Sequence, residues 1–78
     1  MTEPVDREFW MYRFALKLDH LMRKRGMSST ALAKESGVAR ASIRLYLTGA
    51  TMPSAYSVYR IARALKCETS AFMDADYA

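Results

Sequence analysis

A chain of 78 residues has room for one small domain, since domains run to about 100 to 200 residues, and none for a second domain or a large catalytic cleft. One cysteine, Cys67, excludes an intrachain disulfide, and with His20 as the one histidine no cluster of soft ligands offers itself to a metal. The net charge of +4 hides an asymmetry: all twelve Lys and Arg fall within residues 7–66 against only Glu8, Asp19 and Glu35, while Glu3, Asp6, Glu68, Asp74 and Asp76 make both ends acidic, and a basic body points to a polyanion such as nucleic acid.

With no disulfide or metal, the 51% of hydrophobic residues must supply stability through a dense core. Three glycines and two prolines are few for an all-β chain, and the Ala, Leu, Met, Arg and Lys content favours helix. No run approaches the roughly 18 apolar residues of a membrane span, and the polar start MTEPVDRE is unlike a signal peptide. A soluble, cytoplasmic protein that does not enter a membrane is expected.

From Pro4 to Arg25 no glycine or internal proline intervenes, and Met11, Phe14, Leu18, Leu21 and Met22 recur at helical spacing. Gly26 ends this first helix. Ser28 is a good N-cap for a second helix over about 29–36, with Leu32 and Ala33 facing inward, and Gly37 stops it. A third helix over about 39–48 puts Ile43, Tyr46 and Leu47 on one face, with Val38 under the preceding turn, and Gly49 closes it. Pro53 and Ser54 then make a stop and an N-cap. The fourth helix, about 55–66, shows Val58, Ile61, Ala62 and Leu65 in a regular amphipathic stripe. Thr69 or Ser70 can cap a last short helix carrying Phe72 and Met73, and the tail 74–78 is expected to fray.

Ser29 to Thr48 holds the most specific pattern. Two short helices meet at Gly37, with small Ala33 four positions before it and aliphatic Ile43 six after. The turn needs a residue that accepts positive φ, and glycine does so without steric cost. Close crossing of the two helices requires a small residue at 33, while Leu32, Val38 and Ile43 fill the wedge between them. This is a helix-turn-helix pattern.

Through GMSSTALAKESGV, SIRLYLTG and MPSAYSVYRIARAL the chain resembles the Cro/cI (XRE-type) family of phage repressors and bacterial regulators, over roughly Phe14 to Met73. The resemblance implies an all-α, compact five-helix, lambda-repressor-like DNA-binding domain, here with an extended first helix. Residues 1–13 would be an N-terminal extension running into that helix, 14–73 the helix-turn-helix domain and 74–78 the tail. It also implies that the third helix enters the major groove of double-stranded DNA, while the start of the second helix and the loop after the third hold phosphates.

The third helix, read residue by residue, agrees. With Ile43, Tyr46 and Leu47 inward, its other face displays Arg40, Ala41, Arg44, Leu45 and Thr48. Arginine can donate twice to guanine O6 and N7, and Ala41 and Leu45 suit thymine methyls. Ser29 sits where a helix N-terminus favours a phosphate, and Thr51 and Lys34 are further phosphate candidates. The face has no Gln or Asn, which many relatives use for adenine. Where many relatives pair an Arg late in helix one with a Glu near the end of helix three, Met22 and Leu47 stand here, an apolar contact that is well tolerated in place of an ion pair. Ala39 provides no side-chain N-cap, at a cost of about 1 kcal/mol.

Elsewhere the plainer readings are preferred. His20 is expected at the surface and Cys67 as a small apolar group after helix four; neither they nor Ser28 and Asp19 suggest a catalytic constellation, so no enzyme activity and no cofactor are expected. Tyr56 and Tyr59 are expected to flank the core or a protein partner, and Arg60 and Arg63 to be exposed. Phe9, Tyr12 and Leu16, with Trp10 between them, form a second apolar stripe on helix one. They either fold over helix five and cover the core or contact another subunit or domain. The C-terminal Phe72, Met73 and Tyr77 are a second candidate dimer surface, which can join the first in one patch.

These features together predict a DNA-binding transcriptional regulator, most like a phage or prophage repressor, acting as a homodimer on an inverted repeat. The alternative is the DNA-binding antitoxin of a toxin-antitoxin pair, with the aromatic stripe as its protein-binding surface. An adjacent short toxin-like gene would favour that alternative.

Overall fold

The computed structural model describes residues 4–73, with side chains from Arg7 to Phe72. The expected tail 74–78, including Tyr77, and residues 1–3 of the extension lie outside the described residues. Five helices follow in order: α1 Pro4–Arg25, α2 Ser29–Ser36, α3 Arg40–Leu47, α4 Ala55–Ala64 and α5 Ser70–Met73. Among the described residues no helix is long and apolar enough to cross a membrane.

Several helix termini have a local cause. Pro4 opens α1 at the position where its missing N–H costs nothing. The basic last turn Arg23, Lys24 and Arg25 complements the helix dipole. The Ser28 Oγ accepts from the Ala31 N–H at 3.1 Å, and the Ser54 Oγ accepts from the Ser57 N–H at 3.0 Å, so α2 and α4 both have the expected serine caps. Ala39 makes no side-chain cap bond at the start of α3.

The helix ends repeat one device. After α1 the Met27 N–H donates to the Met22 carbonyl at 2.9 Å and Gly26 donates to Arg23; after α3 the Ala50 N–H donates to Leu45 at 2.9 Å and Gly49 to Tyr46. This is the Schellman closure, with the glycine in the left-handed region.

At α4 the same closure is made by Lys66, at φ 58°, with Cys67 donating to Ala62 and Lys66 to Arg63. The helix therefore ends at Ala64 and not at 66 as the sequence suggested, because a lysine has taken the position that glycine holds elsewhere. Arg25 offsets the conformational cost: its Nε donates to the Leu65 carbonyl at 2.8 Å and its Nη2 to the Lys66 carbonyl at 3.2 Å. A guanidinium from α1 thus caps α4 across 40 residues of sequence.

The core joins Phe14, Leu18 and Met22 of α1 to Leu32, Val38, Ile43, Tyr46, Val58, Ile61, Ala62, Leu65 and Phe72. Phe14 is its aromatic centre. The Trp10 ring stacks on it at 5.3 Å, Tyr46 meets it edge-on at 6.0 Å and Phe72 lies at 5.0 Å. One ring thereby ties α1 to α3 and α5. Leu47 and Ala33 are half-buried against this core, which also contains Met22.

Gly37 has φ 79°, and any Cβ there would also run into the Arg60 guanidinium. Gly37→Val is therefore expected to be strongly destabilising through backbone strain and collision together. Ala33→Leu should cost about 1 to 3 kcal/mol by overpacking. Thermal unfolding checks both: midpoints lowered by several degrees or more support this packing, and unchanged midpoints contradict it.

Candidate nucleic-acid interface

An eight-residue helix is marginal in isolation, so α3 is held by what it buries. Ile43 and Tyr46 face the core and Leu47 is half-buried against it. That rotation leaves Arg40, Ala41, Arg44, Leu45 and Thr48 exposed, and the first four line one shallow depression. All five residues expected on the recognition face are therefore brought to one side. Arg40 and Arg44 are like charges at i, i+4, an arrangement mildly unfavourable for the helix itself, and α3 contains no acidic residue to relieve it. A bound anion would.

The remaining polar candidates occupy the flanks. Ser29 is the first residue of α2 and half-buried; Thr51 lies in the bend after α3 and is also half-buried; Lys34 is exposed on α2. The Thr48 hydroxyl donates to the Leu45 carbonyl at 2.9 Å, so its proton is engaged within the helix end and its oxygen is left as an acceptor.

Of the two arginines of α4, one differs from expectation. Arg60 is half-buried and not simply exposed: its Nε donates to the Ser36 carbonyl at 2.5 Å, its Nη1 to the Tyr56 hydroxyl at 2.7 Å, and its guanidinium lies 5.5 Å from the Tyr56 ring centroid. Arg63 is exposed over the Tyr59 ring at 5.8 Å. Tyr56 and Tyr59 are themselves exposed and stack on each other at 6.5 Å. The i, i+4 pairing of Tyr56 with Arg60 is visible in the sequence, but the Ser36 carbonyl is a backbone partner 24 residues away and leaves no trace in it.

The expected partner surface divides. Phe9, Tyr12 and Leu16 are exposed, Tyr12 at 60%, while Trp10 between them turns inward onto Phe14. Of the four residues, only Trp10 thus covers the core. Tyr12 and Leu16 flank a groove completed by Glu8, Met11, Ala15 and Asp19 of α1 and by Leu47, Thr48 and Gly49 at the end of α3. Phe72 corrects the reading of the C-terminal surface. It is 4% exposed and packed on Phe14, because a four-residue α5 needs its one ring as an anchor.

His20 is exposed. Cys67 is half-buried, and burial raises its thiol pKa against the opposing pull of Arg25. Asp19 is paired with Arg23 at 2.9 Å.

Residues 20–72 match the family described as helix-turn-helix (HTH_3). The fold is similar to the crystal structure of an HTH_3 family transcriptional regulator from Vibrio cholerae, with TM-score 0.83 and 28% identity over 90% of this chain and 39% of that one. The chain therefore spans about two-fifths of the length of that regulator. It is also similar to the restriction-modification controller protein C.AhdI from Aeromonas hydrophila, with TM-score 0.77 and 26% identity over 80% of this chain and 94% of that one. No curated protein matches.

Arg40→Ala and Arg44→Ala should each weaken binding to a preferred duplex, by about 1 to 3 kcal/mol where the arginine reads a base, and relax preference at one position. Lys34→Ala should at most flatten the salt dependence. Titration of folded variants by fluorescence anisotropy checks this; wild-type affinity in both arginine variants would remove α3 as the reading element.

Proposed function

The chain belongs to the helix-turn-helix (HTH_3) family, and from that premise we propose that it is a sequence-specific DNA-binding transcriptional regulator of the phage or prophage repressor type, acting as a dimer on an inverted repeat. The observation that carries this reading is the division of α3 into a buried face, Ile43 and Tyr46, and an acid-free exposed face, Arg40, Ala41, Arg44 and Leu45. A helix of this diameter fits the major groove, where arginine forks reach guanine and small apolar groups meet thymine methyls. Ser29 at the α2 N-terminus and Thr51 after α3 would hold phosphates on either side and set the register. Occupying a promoter excludes polymerase, and this requires no bond to be made or broken by the protein.

A dimer on DNA places two recognition helices about 34 Å apart, so the subunits must meet away from the centre of α3. With Phe72 in the core, the surface that fits is the Phe9, Tyr12 and Leu16 stripe, whose groove reaches the end of α3 at Thr48 and Gly49. The same exposed stripe favours the second reading, a DNA-binding antitoxin whose main partner is a protein. The likeness to the restriction-modification controller protein supports the regulator reading.

Selection from a random duplex pool at fixed salt tests the main reading. Enrichment of paired, inverted half-sites is expected; no enrichment over the starting pool would contradict it. The double substitution Phe9→Ser with Tyr12→Glu should lower the apparent mass in sedimentation and raise the concentration needed to fill a two-half-site duplex, with helicity retained. If mass and occupancy stay at wild-type values, the stripe is not the dimer surface.

A further inference from the structure

The turn between α2 and α3 is held from outside the helix-turn-helix unit. A helix C-terminus leaves carbonyls without intrahelical partners. At α2 the Ala33 carbonyl accepts from the Gly37 N–H at 2.9 Å, and the Ser36 carbonyl accepts from the Arg60 Nε of α4. Ser36 is 2% exposed, and its hydroxyl oxygen accepts from the Val38 N–H at 3.1 Å. Three successive residues, Ser36, Gly37 and Val38, are thus each pinned by a hydrogen bond, and one of these pins is a cation at the negative end of the α2 dipole.

The cation is itself fixed. Its Nη1 donates to the Tyr56 hydroxyl and its plane lies over the Tyr56 ring, contacts a guanidinium makes as a rigid fork and an ammonium cannot make together. Gly37 leaves room for it, since a side chain there would occupy the guanidinium's place.

We propose that Arg60 is a positioning residue for DNA reading: by holding the Ser36 carbonyl it fixes the turn from which α3 departs, and so aims Arg40 and Arg44. This rests on the DNA-reading function proposed above. Arg60 reaches no base or phosphate in this role, which separates it from a further phosphate contact. Its effect is on how well the recognition helix is preorganised, a cost otherwise met at binding.

The variants Arg60→Met, which keeps an apolar stem, Arg60→Lys, and Tyr56→Phe, which removes only the hydroxyl behind the fork, test it in the full chain. In the free protein, amide hydrogen exchange at Gly37 and Val38 should quicken about tenfold in Arg60→Met while Leu18 and Ile61 keep wild-type rates. At a temperature where the variant is folded, binding to the pool-selected duplex should weaken about five- to tenfold, with the slope of log affinity against log salt unchanged. Arg60→Lys should recover part of the loss, and Tyr56→Phe should show a smaller loss of the same kind.

A salt slope reduced by about one would make Arg60 a phosphate contact and overturn the proposal. Unchanged turn exchange and unchanged affinity in folded Arg60→Met would overturn it as well, as would a fall in thermal midpoint with no change in either. If the wild-type chain selects no duplex, the DNA reading fails by itself, and the exchange measurement then decides whether Arg60 holds the turn.

Discussion

Burial of one side of α3 is the constraint on which the rest of the molecule depends. Eight residues do not make a stable helix in water, and α3 has no side-chain N-cap. It persists because Ile43 and Tyr46 are buried, the latter edge-on against Phe14. The rotation that buries them is the rotation that presents Arg40 and Arg44 to solvent, so fold and candidate site follow from a single packing requirement. Phe14 joins α1 to α3 and α5 at once, since both rings that meet it from those helices, Tyr46 and Phe72, are core residues.

Around that centre the surfaces are specialised. The α3 face is basic with two exposed apolar residues, Ala41 and Leu45, beside its arginines; the α1 stripe is aromatic, with Glu8 and Asp19 beside its groove; the α4 face stacks two tyrosines beneath two arginines. The basic surplus of the body is thus not spread evenly. Arg25 and Arg60 are drawn into capping carbonyls at the ends of α4 and α2, and Arg40 and Arg44 remain on the exposed face of α3.

Features written in local sequence are legible from the residues alone. Ser28, Ser54, Gly26, Gly37 and Gly49 mark helix ends through chemistry that spans four or five residues, and the apolar stripe of α4 repeats often enough to fix its buried face. The exposed face of α3 is legible because Ile43, Tyr46 and Leu47 leave only one side of a short helix free. What stays hidden involves partners distant in sequence or residues acting against type. The Arg25 and Arg60 caps join residues 40 and 24 positions apart. Lys66 takes a left-handed conformation usually left to glycine, which shortens α4. Phe72 reads as a surface residue because a short terminal helix does not show in sequence whether its ring points inward.

The central claim is that the α3 face reads base edges in the major groove. Guanine N7 lies only in that groove, so methylation interference at N7 on the pool-selected duplex tests the claim most directly. The account predicts that methylating a guanine in each half-site abolishes binding and that a minor-groove ligand fails to compete. Binding that tolerates every N7 methylation but is displaced by the minor-groove ligand would contradict it.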